Sequence, residues 1–113
     1  MQLDIMLKAL GEPTRLKIYT ALMERKHCVR SLSRKFAISE SAVSQHLKIM
    51  KNAGLVYGEK YGYHTHYLPV HESAVFLSDC FDRIKKSSRA VDRTVTACQC
   101  EYRKDGAKNE HSA

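Results

Sequence analysis

The residues best equipped for chemistry in this chain are three thiols: Cys28 in the first third, and the Cys98-Gln99-Cys100 pair near the end. Thiolate sulfur is a soft donor. Three such ligands suit trivalent arsenic or antimony, As(III) or Sb(III), with Cd(II), Pb(II) or Zn(II) as alternatives. The pair carries a geometric condition. Positions i and i+2 diverge by about 200° on a helix but share a side in an extended segment, so joint chelation requires the last helix to end before residue 98. The β-branched stretch Thr94-Val95-Thr96 favours such an ending. Two thiols meeting each other would instead give a redox or persulfide sensor. The plainest role for Cys28 and Cys80 is that of small buried hydrophobes, and Cys80, beside Leu77 and Phe81, is assigned to packing.

The setting of these thiols favours reduced ligands over disulfides. The chain has 113 residues with four Cys and six His, no apolar run near the ~18 residues of a membrane span, and no basic-then-apolar opening of a signal peptide. A cytoplasmic protein is expected, with no membrane partner. At 43% hydrophobic residues, one domain can bury a core with little to spare, so a second subunit would help. The formal net charge is +7, and six of those seven charges fall in residues 1–70. That concentration favours a polyanionic partner.

The elements that must position these residues are legible in outline. Leu3, Met6, Leu7 and Leu10 recur at helical spacing before Gly11. Pro13 suits the first turn of a second helix, whose Leu16, Ile18, Tyr19, Leu22 and Met23 are expected to face inward. Val29, Leu32 and Phe36 mark a third helix. Ala37-Ile38-Ser39 leaves room only for a tight turn, with Ser39 as the next N-cap and an Ile38–Val43 staple. Gly54 ends that fourth helix. Strands over Leu55–Lys60 and His64–Val70 follow, joined at Tyr61-Gly62-Tyr63. A long helix then runs from His71 through Ala74, Leu77, Phe81 and Ile84, continued weakly by Ser88, Val91 and Val95. Such a seam meets another helix, and a second copy of the chain is the economical partner. One domain is expected over 1–102, with a polar tail at 103–113.

At about 100° per residue, the helix Glu40–Ala53 divides into two arcs. Ala42, Val43, His46, Leu47, Ile49, Met50 and Ala53 form the apolar one, with His46 read as a packed, hydrogen-bonded histidine. The other holds Glu40, Ser41, Ser44, Gln45, Lys48, Lys51 and Asn52. Short hydroxyl and amide side chains early and lysines later suit a major groove. Gln45 can pair with adenine, the serines with base edges or phosphates, and Lys48 and Lys51 with phosphate. His27 adjoins Cys28, yet no orienting third group completes a catalytic set, so the chain reads as no enzyme.

Three segments carry a family resemblance: Leu10-Gly11-Glu12-Pro13-Thr14-Arg15-Leu16, Ser41-Ala42-Val43-Ser44-Gln45-His46-Leu47-Lys48 and Ala53-Gly54-Leu55-Val56. Over residues 3–90 the chain resembles the ArsR/SmtB family of metal- or thiol-responsive repressors. The resemblance implies a mainly α winged helix-turn-helix with a small β-hairpin wing, dimerising through its first and last helices, here Leu3, Leu7, Leu77, Phe81 and Ile84. It further implies double-stranded operator DNA as partner, read by Ser41, Ser44, Gln45 and Lys48, with no cofactor needed for DNA binding. Where the family usually places arginine after the wing glycine, this chain has Tyr63, leaving Lys60 and His64 as the wing contacts. The family's arsenic motif, Cys-Val-Cys-Asp-Leu, stands here as Cys28-Val29-Arg30-Ser31-Leu32, without its second thiol. The zinc pattern on the last helix is absent. The expectation is therefore a repressor released from an inverted-repeat operator by a soft metal or metalloid, held by Cys28, Cys98 and Cys100. The alternatives are a thiol-redox sensor of the same fold and a winged-helix protein-interaction module without a specific operator.

Overall fold

The computed structural model describes residues 1–91, 93, 94, 96 and 98. Helix α1, Leu3–Leu10, buries Met6 and Ala9 and is flanked by the partly buried Leu3 and Leu10. It stops at Gly11, whose N–H bonds Leu7 O at 2.8 Å. Helix α2, Pro13–Glu24, opens with Pro13, whose missing N–H would have had no helical partner. The cap is the Glu12 carboxylate, which accepts the Arg15 N–H at 2.9 Å. Ile18, Tyr19, Ala21 and Leu22 are buried, whereas Leu16 and Met23, expected inward, are 47% and 48% exposed. Both lie about 100° or more around the helix from the Ile18–Leu22 line, beyond the reach of the neighbouring elements.

Helix α3, Val29–Phe36, contributes the fully buried Leu32, with Val29 and Phe36 packed at the edge of the core. Ala37 then takes a left-handed conformation (φ 53°), and Ser33 Oγ donates to Ile38 O at 2.5 Å, closing the turn. Helix α4, Glu40–Asn52, begins where Ser39 Oγ accepts the Ala42 N–H at 3.0 Å. It ends through Gly54 (φ 78°), whose N–H bonds Lys51 O. Strands β1, Val56–Tyr61, and β2, His64–Pro69, pair antiparallel with Tyr61 opposite His64. The two-residue turn between them uses Gly62 at φ 62°.

One tie holds this hairpin to the helices and a second joins the segments that flank it. His27 bridges Tyr67 through a pair of backbone bonds, adding a single-residue third strand between α2 and α3. Ser73, fully buried in helix α5 (His71–Ala90), donates to Gly54 O at the end of α4. The core between the layers is Met6, Ile18, Leu32, Val43, Leu47, Met50 and Leu55, all essentially inaccessible. Helix α5 ends at Ala90, and Val91 is extended (φ −67°, ψ 123°), so the expected seam does not continue helically to Val91. Val95 and the 103–113 tail lie outside the described residues. Among the described residues no helix is long and apolar enough to cross a membrane.

Candidate nucleic-acid interface

The apolar side of α4 fixes its polar side. Val43, Leu47 and Met50 are buried to 1% or less, which leaves Ser41, Ser44, Gln45, Lys48 and Lys51 exposed in one arc. No described residue covers these side chains, and Ser41, Ser44 and Gln45 lie in the first two turns, the part of a reading helix that enters a groove. Ile49, counted with the apolar arc, is instead 44% exposed, because it sits at the edge of that arc, about 120° from Val43.

His46 anchors the rear of this helix. Its Nδ1 lies 3.3 Å from a terminal guanidinium nitrogen of Arg15 and 3.8 Å from Glu12 Oε2. A guanidinium only donates, so Nδ1 accepts and the ring proton sits on Nε2. Arg15 Nε meanwhile donates to Ala9 O at 2.6 Å. One side chain thus ties α1, α2 and α4 together. The Arg15 N–H, chiefly, holds the Glu12 carboxyl below its ordinary range. The sequence places His46 on the inner side, but neither partner was read from it.

In the wing, Lys60 and His64 are exposed and Tyr63 stands fully in solvent at the turn. Lys26 Nζ sits 4.2 Å from the centroid of the Tyr61 ring, which also tilts against His66 at 5.0 Å. His64 and His66, two apart on one strand, do not converge on a ligand: His66 is partly enclosed against Tyr61 while His64 is open.

Between the start of α3, the start of α4 and the wing runs a cleft of about 470 Å³, lined among others by Cys28, Arg30, Glu40, Tyr63 and His64. It sets a thiol and a further cation beside the wing, although 35 positions separate Cys28 from Tyr63. Cys28 is half-buried and caps α3, its Sγ accepting the Ser31 N–H at 3.4 Å. That is a weak bond, leaving sulfur lone pairs free for a soft ion. Cys98 is exposed beyond the end of α5, which meets the condition that the helix finish first, while Cys100 lies outside the described residues. Among the described residues no three His, Cys, Asp or Glu side chains converge as a metal site. Cys80 is buried, with an Arg83 guanidinium nitrogen 3.3 Å from its sulfur.

His27 occupies a strand bridge just before α3. It is 6% exposed, with Nδ1 2.7 Å from Ser31 Oγ. Burial, reinforced by the charges of Arg25 and Lys35, holds its pKa below the ordinary histidine value. Of the expected interface residues, Leu7, Phe81 and Ile84 are 40%, 49% and 56% exposed, whereas Leu77 turns into the protomer's own core and Leu3 is half-buried.

Residues 12–57, from the α2 cap into β1, match the model described as bacterial regulatory protein, arsR family. The transcriptional regulator NmtR of Mycobacterium tuberculosis is 34% identical over 80 residues, covering 65% of this chain and 67% of that protein. The chain belongs to the ArsR family. This is a family of DNA-binding transcriptional regulators rather than enzymes. The transcriptional repressor SmtB of M. tuberculosis is 44% identical over 57 residues, half of this chain. The match spans 42% of that repressor, so the chain covers less than half of its length. Among solved structures, the homodimeric winged helix-turn-helix domain Mb0332 of Mycobacterium bovis superposes with a TM-score of 0.62 at 20% identity, covering 80% of this chain and 83% of that one. The winged helix-turn-helix architecture follows from that likeness and from the element order.

Proposed function

We propose that the chain is a homodimeric repressor that grips an inverted-repeat operator and lets go when a soft metal or metalloid binds its thiols. The observation that carries the DNA-reading half is the α4 arc: five hydroxyl, amide and ammonium side chains held outward by three fully buried apolar ones. Gln45 suits adenine, Ser41 and Ser44 suit base edges or phosphate, and Lys48, Lys51, Lys60 and His64 suit the backbone. Supporting a dimer are the exposed Leu7 on α1 and Phe81 and Ile84 on α5, together with the homodimeric state of the similar M. bovis domain. Two reading helices related by a two-fold axis would meet half-sites about one helical turn apart.

For the effector, Cys28, Cys98 and Cys100 would supply three thiolates, and As(III) or Sb(III) fits that donor set best. A bound soft ion would supply strong, directional sulfur bonds. The chain's own contribution is location: Cys28 caps α3 in the cleft that also holds His64 and Glu40, so a ligand there bears on the wing and on the first turn of the reading helix.

Operator affinity measured against salt tests the DNA-reading half. The logarithm of the affinity should fall linearly with log salt, with a slope of about −0.9 per neutralised phosphate, and a flat response overturns the reading. Titration of the reduced protein with As(III), Cd(II), Pb(II) and Zn(II), following thiolate absorption and operator release, tests the effector half. Cys28→Ser and Cys100→Ser should each abolish the response, and normal release in both variants removes the three-thiolate site.

A further inference from the structure

Along the edge of the α4 polar arc, where Asn52 gives way to Ile49 and Ala53, lies a second cleft, also of about 470 Å³, between α1, the first turn of α2 and the last turn of α4. Small-molecule sites run from about 300 to 1,000 Å³ and combine apolar walls with a few convergent polar groups. Here the walls are Ile5 and Ala9 from one helix and Ile49 and Ala53 from the other. Ile5 and Ile49 are 45% and 44% exposed. A single exposed isoleucine needs no explanation. Two from different helices lining one opening make an apolar slot.

The polar groups of this slot are of one sign. Lys8 and Arg15 both line it and no carboxylate does, while Asn52 adds an amide. Lys8 takes part in no ion pair among the described residues. Arg15 spends its Nε on Ala9 O and one terminal nitrogen on His46, leaving the other terminal nitrogen's hydrogens uncommitted. Glu12, the carboxylate beside Arg15, already accepts the Arg15 backbone N–H. Ile5, Asn52 and Ala53 also line an adjoining hollow of about 370 Å³ together with Met1, Gln2 and Gly54, which extends the slot away from Lys8 and Arg15.

We infer that this cleft binds a small amphipathic organic anion, its carboxylate at Lys8 and Arg15 and its hydrocarbon body between Ile5, Ile49 and Ala53. Leu7 and Ile5 lie two positions apart on α1 and so point about 200° apart. A subunit seam through Leu7 therefore leaves the Ile5 flank open. The site rests on this geometry alone. Its consequence for DNA rests on the proposed function: the guanidinium that meets the anion is the one that anchors His46 of the reading helix, so the ligand alters how α4 is held.

The test is a titration of the full chain, methyl-labelled at isoleucine and alanine, with sodium octanoate at up to millimolar concentration, read by NMR. Saturable shifts at Ile5, Ile49 and Ala53 are expected, with 1-octanol binding more weakly. Lys8→Ala should weaken octanoate about two- to fivefold, the scale of an exposed ion pair, and Ile49→Glu should abolish binding while the remaining methyl spectrum stays folded. Absence of saturable shifts, equal binding of octanol, an unaffected Lys8→Ala or Ile49→Glu variant, or shifts confined to Ile84 on the α5 face would each overturn the site. Fluorescence anisotropy of an operator duplex separates the two claims. Salt-sensitive DNA binding that octanoate leaves unchanged at saturation removes the effector role, while absence of DNA binding in octanoate-free buffer counts against the proposed function and not against the site.

Discussion

Arg15 and His46, separated by 31 positions, are joined by a hydrogen bond of 3.3 Å in which the guanidinium donates to Nδ1. Because Arg15 Nε also donates to Ala9 O, one side chain spans three helices. Arg15→Met keeps the aliphatic stem but removes both bonds and leaves a half-buried imidazole nitrogen and a carbonyl without a partner. The expected loss is about 1–3 kcal/mol of unfolding free energy, seen in urea as a lower midpoint with unchanged slope.

Gln45 and Lys48 should separate base reading from backbone grip. Gln45→Ala is expected to cost about 1–3 kcal/mol of discrimination at one base pair, relaxing preference there with little change in salt response. Lys48→Ala should weaken all sequences alike and reduce the salt slope by about one. Affinities for an operator and its single-base variants, each across a salt series, decide both.

Ala37 carries strain that a substitution can relieve. It is the one non-glycine residue with positive φ among those described (φ 53°), at the turn between α3 and α4. A left-handed L-residue costs roughly 1–2 kcal/mol, and glycine's extra chain entropy roughly 0.5–1 kcal/mol. Ala37→Gly should therefore stabilise the fold by up to about 1.5 kcal/mol net, a rise in Tm of a few degrees by calorimetry.

What the sequence disclosed follows the range of the interaction. Pro13, Ser39, Gly54 and Gly62 act on backbone within a few residues of themselves, so their roles as helix start, N-cap, stop and turn are readable from the local pattern. The α4 arc is legible for the same reason, since 3.6-residue periodicity sorts its faces. Side chains whose environment depends on other elements are not. Leu16 and Met23 fit the hydrophobic count of α2, yet only the packing of α1, α4 and β2 decides that they stay wet. Neither the Cys28–His64 cleft nor the Arg15–His46 bond has a local signature, because each joins elements whose relative placement is set by the core. The His27–Tyr67 bridge was missed because a single paired residue shows no alternation.

His27 gives a pH dependence whose sign follows from its environment. Its folded pKa lies below the ordinary value of 6.5, mainly through burial and then through Arg25 and Lys35. The unfolded chain therefore takes the proton first. Stability from the neutral ring is complete above about pH 6.5 and is lost as pH falls toward the depressed folded value. Glu12, also lowered, acts in the same sense in the more acidic range below its ordinary 4.5. Urea midpoints measured from about pH 7.5 to about pH 5.5 should fall for the parent chain, and His27→Gln should flatten that limb. An equal fall in the variant assigns the dependence to other groups.

Phe81 and Ile84 sit one turn apart on α5, 49% and 56% exposed, with Leu7 of α1 40% exposed. If these side chains form the subunit seam, a charge at its centre should separate the subunits without unfolding them, since neither residue belongs to the protomer's core. Phe81→Glu is expected to cost at least about 2 kcal/mol of association, as for a buried aromatic anchor, which is roughly a thirtyfold rise in dimer Kd. Sedimentation equilibrium reads the shift directly. Circular dichroism of the dilute variant should retain the helical signal, and operator affinity should fall in parallel with dissociation, because a lone reading helix keeps only one half-site. A variant that remains fully dimeric places the seam elsewhere on the molecule.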